Sequence, residues 1–106
     1  MDEKIVNYGG DDFEKRIAEG VTLVDFWAPW CGPCRQQGAL LESSVLPELP
    51  DTAKILKVNV DENPNLAAQF EVQSIPALVL FKDGKQVNEF IGLTAPAELL
   101  KAIRNA

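Results

Sequence analysis

The chain has 106 residues, 46% of them apolar and 25% charged, and its formal net charge is −6. A length of this order holds one domain and the apolar share supports a core, so residues 1–106 are expected to form a single globular domain rather than a disordered chain. The acidic balance has the wrong sign for tracking a phosphate backbone, and the lack of histidine removes the commonest general base and metal ligand; no nucleic-acid partner is expected. The longest charge-free stretch, between Glu71 and Lys82, falls far short of the ~20 apolar residues of a membrane span, so no membrane association is expected. Met1-Asp2-Glu3-Lys4 lacks the basic start and apolar run of a signal peptide, which points to a cytoplasmic location.

Asp11-Asp12-Phe13-Glu14 carries an acidic cap with Glu three positions after Asp11, then Phe13 and Ile17 on one helical face and Gly20 as a stop, predicting a first helix. Val21–Trp27 is almost continuously apolar and rich in β-branched and aromatic residues, as in a central strand covered on both faces. Residues 34–45 are predicted helical, with Leu40 and Leu41 inside and Pro47 and Pro50 ending the helix, and residues 54–60 form the next strand. Asn63-Pro64 supplies a cap and a first-turn proline for a short helix through Leu66, Ala67 and Phe70. Ala77–Lys82 and residues 86–91 flank Asp83-Gly84, a pair that favours a tight antiparallel hairpin. Thr94 or Ala95 opens a last helix with Pro96 in its first turn and Leu99, Leu100 and Ile103 as its buried stripe. A βαβα half followed by a ββα half implies a mixed sheet covered by helices on both faces, a three-layer α/β domain.

Both cysteines, Cys31 and Cys34, lie in Trp30-Cys31-Gly32-Pro33-Cys34, where a buried strand gives way to a helix. Cys31 is thereby placed beside the free N–H groups of a helix N-terminus, which favour an anion, and the thiolate is the form that attacks a disulfide. Cys34, one turn in and less exposed, can attack a mixed disulfide at Cys31, release the reduced substrate and leave an intramolecular Cys31–Cys34 bridge. Gly32 permits a tight approach, and Pro33 needs no donor where a helix begins. A structural bridge or half of a metal site is the alternative, but two thiols without an imidazole do not close a four-ligand site. Asp25 sits inside the apolar strand, where desolvation raises its pKa toward the range of a proton acceptor for Cys34; the alternative is a core salt bridge, with Lys57 as partner. Lys57 on an alternating strand is equally readable as pointing to solvent. Pro76, before a strand, marks an edge or a cis bond, and Trp30 is either a recognition surface or a core aromatic.

Taken together, Trp27-Ala28-Pro29-Trp30-Cys31-Gly32-Pro33-Cys34, the preceding strand with Asp25, Ile75-Pro76 and the Asp83-Gly84 hairpin closely resemble the thioredoxin family over nearly the whole chain. The resemblance implies a thioredoxin fold, an α/β/α sandwich with a central mixed five-stranded sheet and four helices. It implies that Pro76 is cis and faces the dithiol, that Trp30, Ile75, Gly92 and Leu93 belong to a shallow apolar groove for an extended substrate, and that Asp25 and Lys57 act together below Cys34. It also implies a monomeric general protein disulfide reductase with no bound cofactor beyond its redox-active disulfide. Electrons would come from a thioredoxin reductase and pass to client proteins such as reductases and peroxidases that need a dithiol donor. Gly32-Pro33 is similar to the reducing members; a histidine there would stabilise the thiolate and make the disulfide more oxidising. The rivals are a thiol oxidant or isomerase with the same chemistry and a thioredoxin-like binding module without turnover.

Several residues depart from the family pattern. Ala39 stands where a helix-kinking proline is usual, which predicts a straighter second helix. Gln36 and Gln37 are polar where apolar residues are frequent, Ala77 replaces a common threonine, and Leu93 a common alanine. Pro47 and Pro50 make the segment after the second helix irregular. These changes are expected to bear on partner surfaces more than on the chemistry.

Overall fold

A computed structural model describes residues 4–106, so the signal-peptide reading of Met1, Asp2 and Glu3 lies outside the described residues. The elements are β1 (Ile5–Asn7), α1 (Phe13–Ile17), β2 (Val21–Trp27), α2 (Gly32–Leu40), β3 (Ala53–Asn59), α3 (Pro64–Gln69), β4 (Ala77–Lys82), β5 (Lys85–Ile91) and α4 (Pro96–Arg104). They build one mixed sheet in the order β1-β3-β2-β4-β5. β1 and β2 run parallel to β3, whereas β4 runs antiparallel to both β2 and β5.

Side chains alternate across a strand, so the almost unbroken apolar run of β2 can serve two cores at once. Val21 and Leu23 join Ile55, Leu78 and Leu80 against the end of the second helical segment and α4, through Leu41, Val45, Leu99 and Ile103. Val24 and Phe26 join Leu56, Val58, Val79 and Phe81 against Phe13 and Ile17 of α1, with Phe70 packed alongside. Asp25 shares the first face with Val21 and Leu23, and its register partner on β3 is Lys57. The three-layer expectation therefore holds, with the carboxylate facing the α2 side.

At the pole away from Cys31 the hairpin tip is tied to the loop before β2. Gly20 N–H donates to Asp83 Oδ1 at 2.8 Å and Asp83 N–H donates to Gly20 O at 2.9 Å. Gly20 has φ +73°, and a Cβ there would meet the Thr52 carbonyl oxygen at 2.5 Å, so only glycine fits. Asp83 and Gly84 both have positive φ, 49° and 86°, as the hairpin reading requires.

The departures from expectation lie at element ends and on short elements. β1 pairs only three residues, too few to show a period, so that only the family resemblance implies a fifth strand. The α1 cap is Asp12, whose carboxylate accepts from Glu14 N–H, and not Asp11, which pairs with Arg16 while its carbonyl accepts from the Tyr8 hydroxyl. The second helix begins at Gly32 and does not run on in regular form: the N–H of Leu46 bonds back to Leu41 O in a π-helical turn over Leu41–Val45. A 3₁₀ turn over Leu46–Glu48 takes Pro47 inside it, because proline at an early helical position gives up no needed donor. Leu41 is buried as expected, but Leu40 is only half-buried. β3 starts one residue before the predicted strand. Asn63 occupies the cap position of α3 without capping it; its amide donates instead to Asn59 O at 3.1 Å. Phe70 follows that helix rather than lying in it. In α4, Leu99, Leu100 and Ile103 are the buried stripe, as predicted.

Candidate active site

Cys31 is the N-cap of α2, and its Sγ accepts from Cys34 N–H at 3.2 Å, the contact through which a helix start satisfies a sulfur that carries charge. Pro33 lies in the first turn, where its missing N–H costs nothing. The two cysteines form a disulfide. Cys31 retains 6% exposure and Cys34 2%, so the first cysteine is the more exposed of the pair. The loop before them is held by Cys31 N–H to Ala28 O at 3.2 Å and by the Arg35 guanidinium to Pro29 O at 2.9 Å.

Several residues expected of the groove lie near this dithiol. The Ile75–Pro76 bond is cis, and the Ile75 carbonyl oxygen lies 3.8 Å from Cys31 Sγ. Ile75 packs on Ala28, Cys31 and Cys34. Gly92, at φ +88°, donates its N–H to Pro76 O at 2.8 Å, which brings the end of β5 against the cis-proline. Trp30 is 67% and Leu93 48% exposed, so Trp30 is a surface residue and not a core aromatic. Its indole N–H donates to Asp61 Oδ2 at 2.8 Å, an orienting contact that no pattern in the sequence announced.

On the sheet face that the second helical segment covers, the chain buries a carboxyl. Asp25 is fully buried, and neither of its carboxylate oxygens has a hydrogen-bond partner. Burial pushes its pKa up to about 7, the positive charge of Lys57 opposing the rise only in part. No ion pair to Asp25 occurs among the described residues, so the core salt-bridge alternative does not hold. Lys57 is half-buried, and its ammonium stands 4.7 Å from the centroid of the Trp27 ring. A surface depression lined by Trp27, Cys34, Gly38, Ala39 and Lys57 reaches this region.

Of the two glutamines assigned to partner surfaces, Gln36 is exposed but Gln37 is fully buried. The correction follows from helix geometry: Cys34, Gln37, Gly38, Leu41 and Val45 recur at the spacing of one helix face, and all five are buried. Gln37 is admitted there because its amide is paired on both sides with Thr94, a residue whose pattern in the sequence suggests only a helix start. Among the described residues no group of three or more His, Cys, Asp or Glu side chains could hold a metal, and no helix is long and apolar enough to cross a membrane.

A cysteine pair at the head of a helix and beside a cis-proline, in a domain that buries a carboxylate in its central strand, defines a protein built for dithiol–disulfide exchange. The thioredoxin family model matches residues 4–105. The chain is 46% identical over 99 residues to the thioredoxin of Staphylococcus saprophyticus and 44% identical over 99 residues to that of Staphylococcus epidermidis, each match covering 93% of this chain and 94% of the relative. A point mutant of the thioredoxin of Halobacterium salinarum superposes with a TM-score of 0.83 at 38% identity, covering 97% of this chain and 89% of that one. The thioredoxin of Malassezia sympodialis also superposes at 0.83, with 30% identity over 96% of this chain and 92% of its own. The chain belongs to the thioredoxin family and has its fold; it is a thiol–disulfide oxidoreductase that acts by dithiol–disulfide exchange.

Proposed function

We propose that Cys31 is the nucleophile, Cys34 the resolving thiol and Asp25 the proton acceptor in the reduction of client protein disulfides. In the reduced protein the Cys31 thiolate attacks one sulfur of a client disulfide; the Cys31–client bond forms as the client S–S bond breaks and its other sulfur leaves as a thiolate. Asp25 takes the proton of Cys34, whose sulfur then attacks Cys31 Sγ. The Cys31–Cys34 bond forms, the mixed disulfide breaks, and two electrons have passed to the client. The cap position of Cys31 supports the first role, and the greater burial of Cys34 supports the second. A carboxyl with a pKa of about 7, unpaired and on the sheet face under α2, supports the third: it is poised to exchange a proton near neutral pH. Lys57 tunes that carboxyl from the adjacent strand.

Trp30, Ile75, cis-Pro76, Gly92 and Leu93 make the groove for an extended client segment, while Gly32 and Pro33 keep the dithiol reducing. The 106 residues act as one thioredoxin domain in the cytoplasm, as a monomer recycled by a thioredoxin reductase and carrying no bound cofactor beyond the disulfide. The single observation that carries this reading is the Cys31 Sγ at the helix head, 3.8 Å from the Ile75 carbonyl of the cis-proline turn. Insulin reduction with dithiothreitol as donor tests it: the wild-type protein accelerates turnover and Cys31→Ser does not. Acceleration retained in Cys31→Ser would remove Cys31 from the role of nucleophile.

A further inference from the structure

The groove loop hangs on a side chain of the active-site helix. Gln37 lies one turn past Cys34 on α2 and directs both ends of its amide to one residue: Nε2–H donates to Thr94 O at 3.1 Å, and Oε1 accepts from Thr94 N–H at 2.7 Å. Thr94 is itself buried, and its hydroxyl donates to Gly92 O at 2.9 Å. Gly92 N–H donates in turn to Pro76 O at 2.8 Å. Hydrogen bonds therefore run without a break from the helix that carries Cys34, through residues 92–94, to the cis-proline. Leu93 lies inside this connection with its backbone flanked by bonded neighbours and its side chain half in solvent.

A paired amide fixes a peptide unit in rotation as well as in position. Displacing Thr94 would break a donor and an acceptor together and leave buried backbone groups unpaired. An apolar side chain at position 37 could fill the same space, but it could not impose that orientation.

We propose that Gln37 is a positioning residue for client recognition: by clamping Thr94 it holds Gly92 and Leu93 against Pro76 and pre-orders the apolar groove for an extended polypeptide flanking the target disulfide. This rests on the groove reading above. A loop already ordered in the free protein need not be ordered at binding, so the clamp acts on affinity for protein clients and not on the reactivity of the thiolate.

The test is Gln37→Leu, which keeps the apolar packing and removes both bonds. With insulin as client and dithiothreitol as donor, KM rises about two- to tenfold, the scale expected for leaving one interface side chain unordered. The kcat, and the rate at which the reduced protein attacks 5,5′-dithiobis(2-nitrobenzoate), a disulfide too small to span the groove, stay within about twofold of wild type. Hydrogen exchange of the Thr94 amide becomes faster. Leu93→Asp, assayed in parallel, tests the groove without touching the clamp and also raises KM. If Leu93→Asp raises KM while Gln37→Leu leaves it unchanged, the clamp proposal is overturned and the groove reading stands. If neither raises KM, both fall. A Gln37→Leu protein that loses small-disulfide reactivity in step with insulin turnover also overturns the clamp, since its effect is then general. Should the leucine variant not fold, Gln37→Met, unbranched and of similar length, takes its place with the same expected outcomes.

Discussion

On the α1 and α3 side of the sheet, Phe13, Phe26, Phe70 and Phe81 pack ring against ring with centroids 5.5–6.2 Å apart. On the α2 side, the same strands bury the unpaired Asp25, and the helix above them buries Gln37. One side gains free energy from apolar burial and from edge-to-face aromatic contact. The other has its own apolar core, with Leu41, Val45, Leu99 and Ile103, and accepts within it the cost of a desolvated, unpaired carboxyl, while its buried amide, Gln37, is paired with Thr94. A single strand, β2, supplies both, because alternate residues of one apolar run face opposite layers.

The contrast is most exposed to failure on its apolar side. Phe26→Ala removes a fully buried ring and should lower stability by about 3–5 kcal/mol, read from the urea midpoint, while the folded protein still reduces insulin. A loss below about 1 kcal/mol would mean that the ring packing on this side contributes little to stability.

On the polar side the sign reverses. Asp25 has a folded pKa of about 7, above its ordinary 3.8, so the native state holds the proton more tightly than the unfolded chain does. Its favourable contribution is complete below about pH 4 and is lost as pH rises toward 7, after which the buried charge favours unfolding. Asp25→Asn should therefore leave the oxidised protein near wild-type stability at the acidic end and stabilise it by about 2–4 kcal/mol above pH 8. Urea melts at both ends of that range that show no alkaline gain would contradict a raised pKa.

The smallest effect expected is that of Lys57→Met. The lysine charge lowers the Asp25 pKa and is itself half in solvent, where screening weakens it. Removing it should move the carboxyl titration, followed by carbon NMR of Asp25, upward from about 7. A titration that stays at about 7 would show that the two side chains do not interact through charge.

Much of this division was legible in the sequence. The run Val21–Trp27 announced a doubly covered strand, and a carboxylate within it could only be a buried one. The cysteine spacing and the proline in the first turn placed the dithiol at a helix head, and the turn chemistry of Asp83-Gly84 fixed the hairpin. What stayed hidden depends on partners distant along the chain. Gln37 reads as a surface residue until the backbone of Thr94, 57 positions on, is known to lie beside it. The bond from Trp30 to Asp61 is hidden for the same reason, and three residues of β1 carry no detectable alternation. The π-helical turn at Leu41–Val45 depends on a backbone choice at the end of a helix, to which side-chain patterns are blind.

The stitch between Gly20 and Asp83 bears on how the molecule can be engineered. Hairpin tips are ordinarily the first places chosen to insert a tag or to open new termini. Here the tip holds the loop that launches β2, the strand bearing Asp25, through two reciprocal hydrogen bonds and a glycine with no space for a side chain. A reporter grafted between Asp83 and Gly84 would pull on the central strand, whereas the exposed stretch Glu42-Ser43-Ser44 offers attachment points free of that linkage.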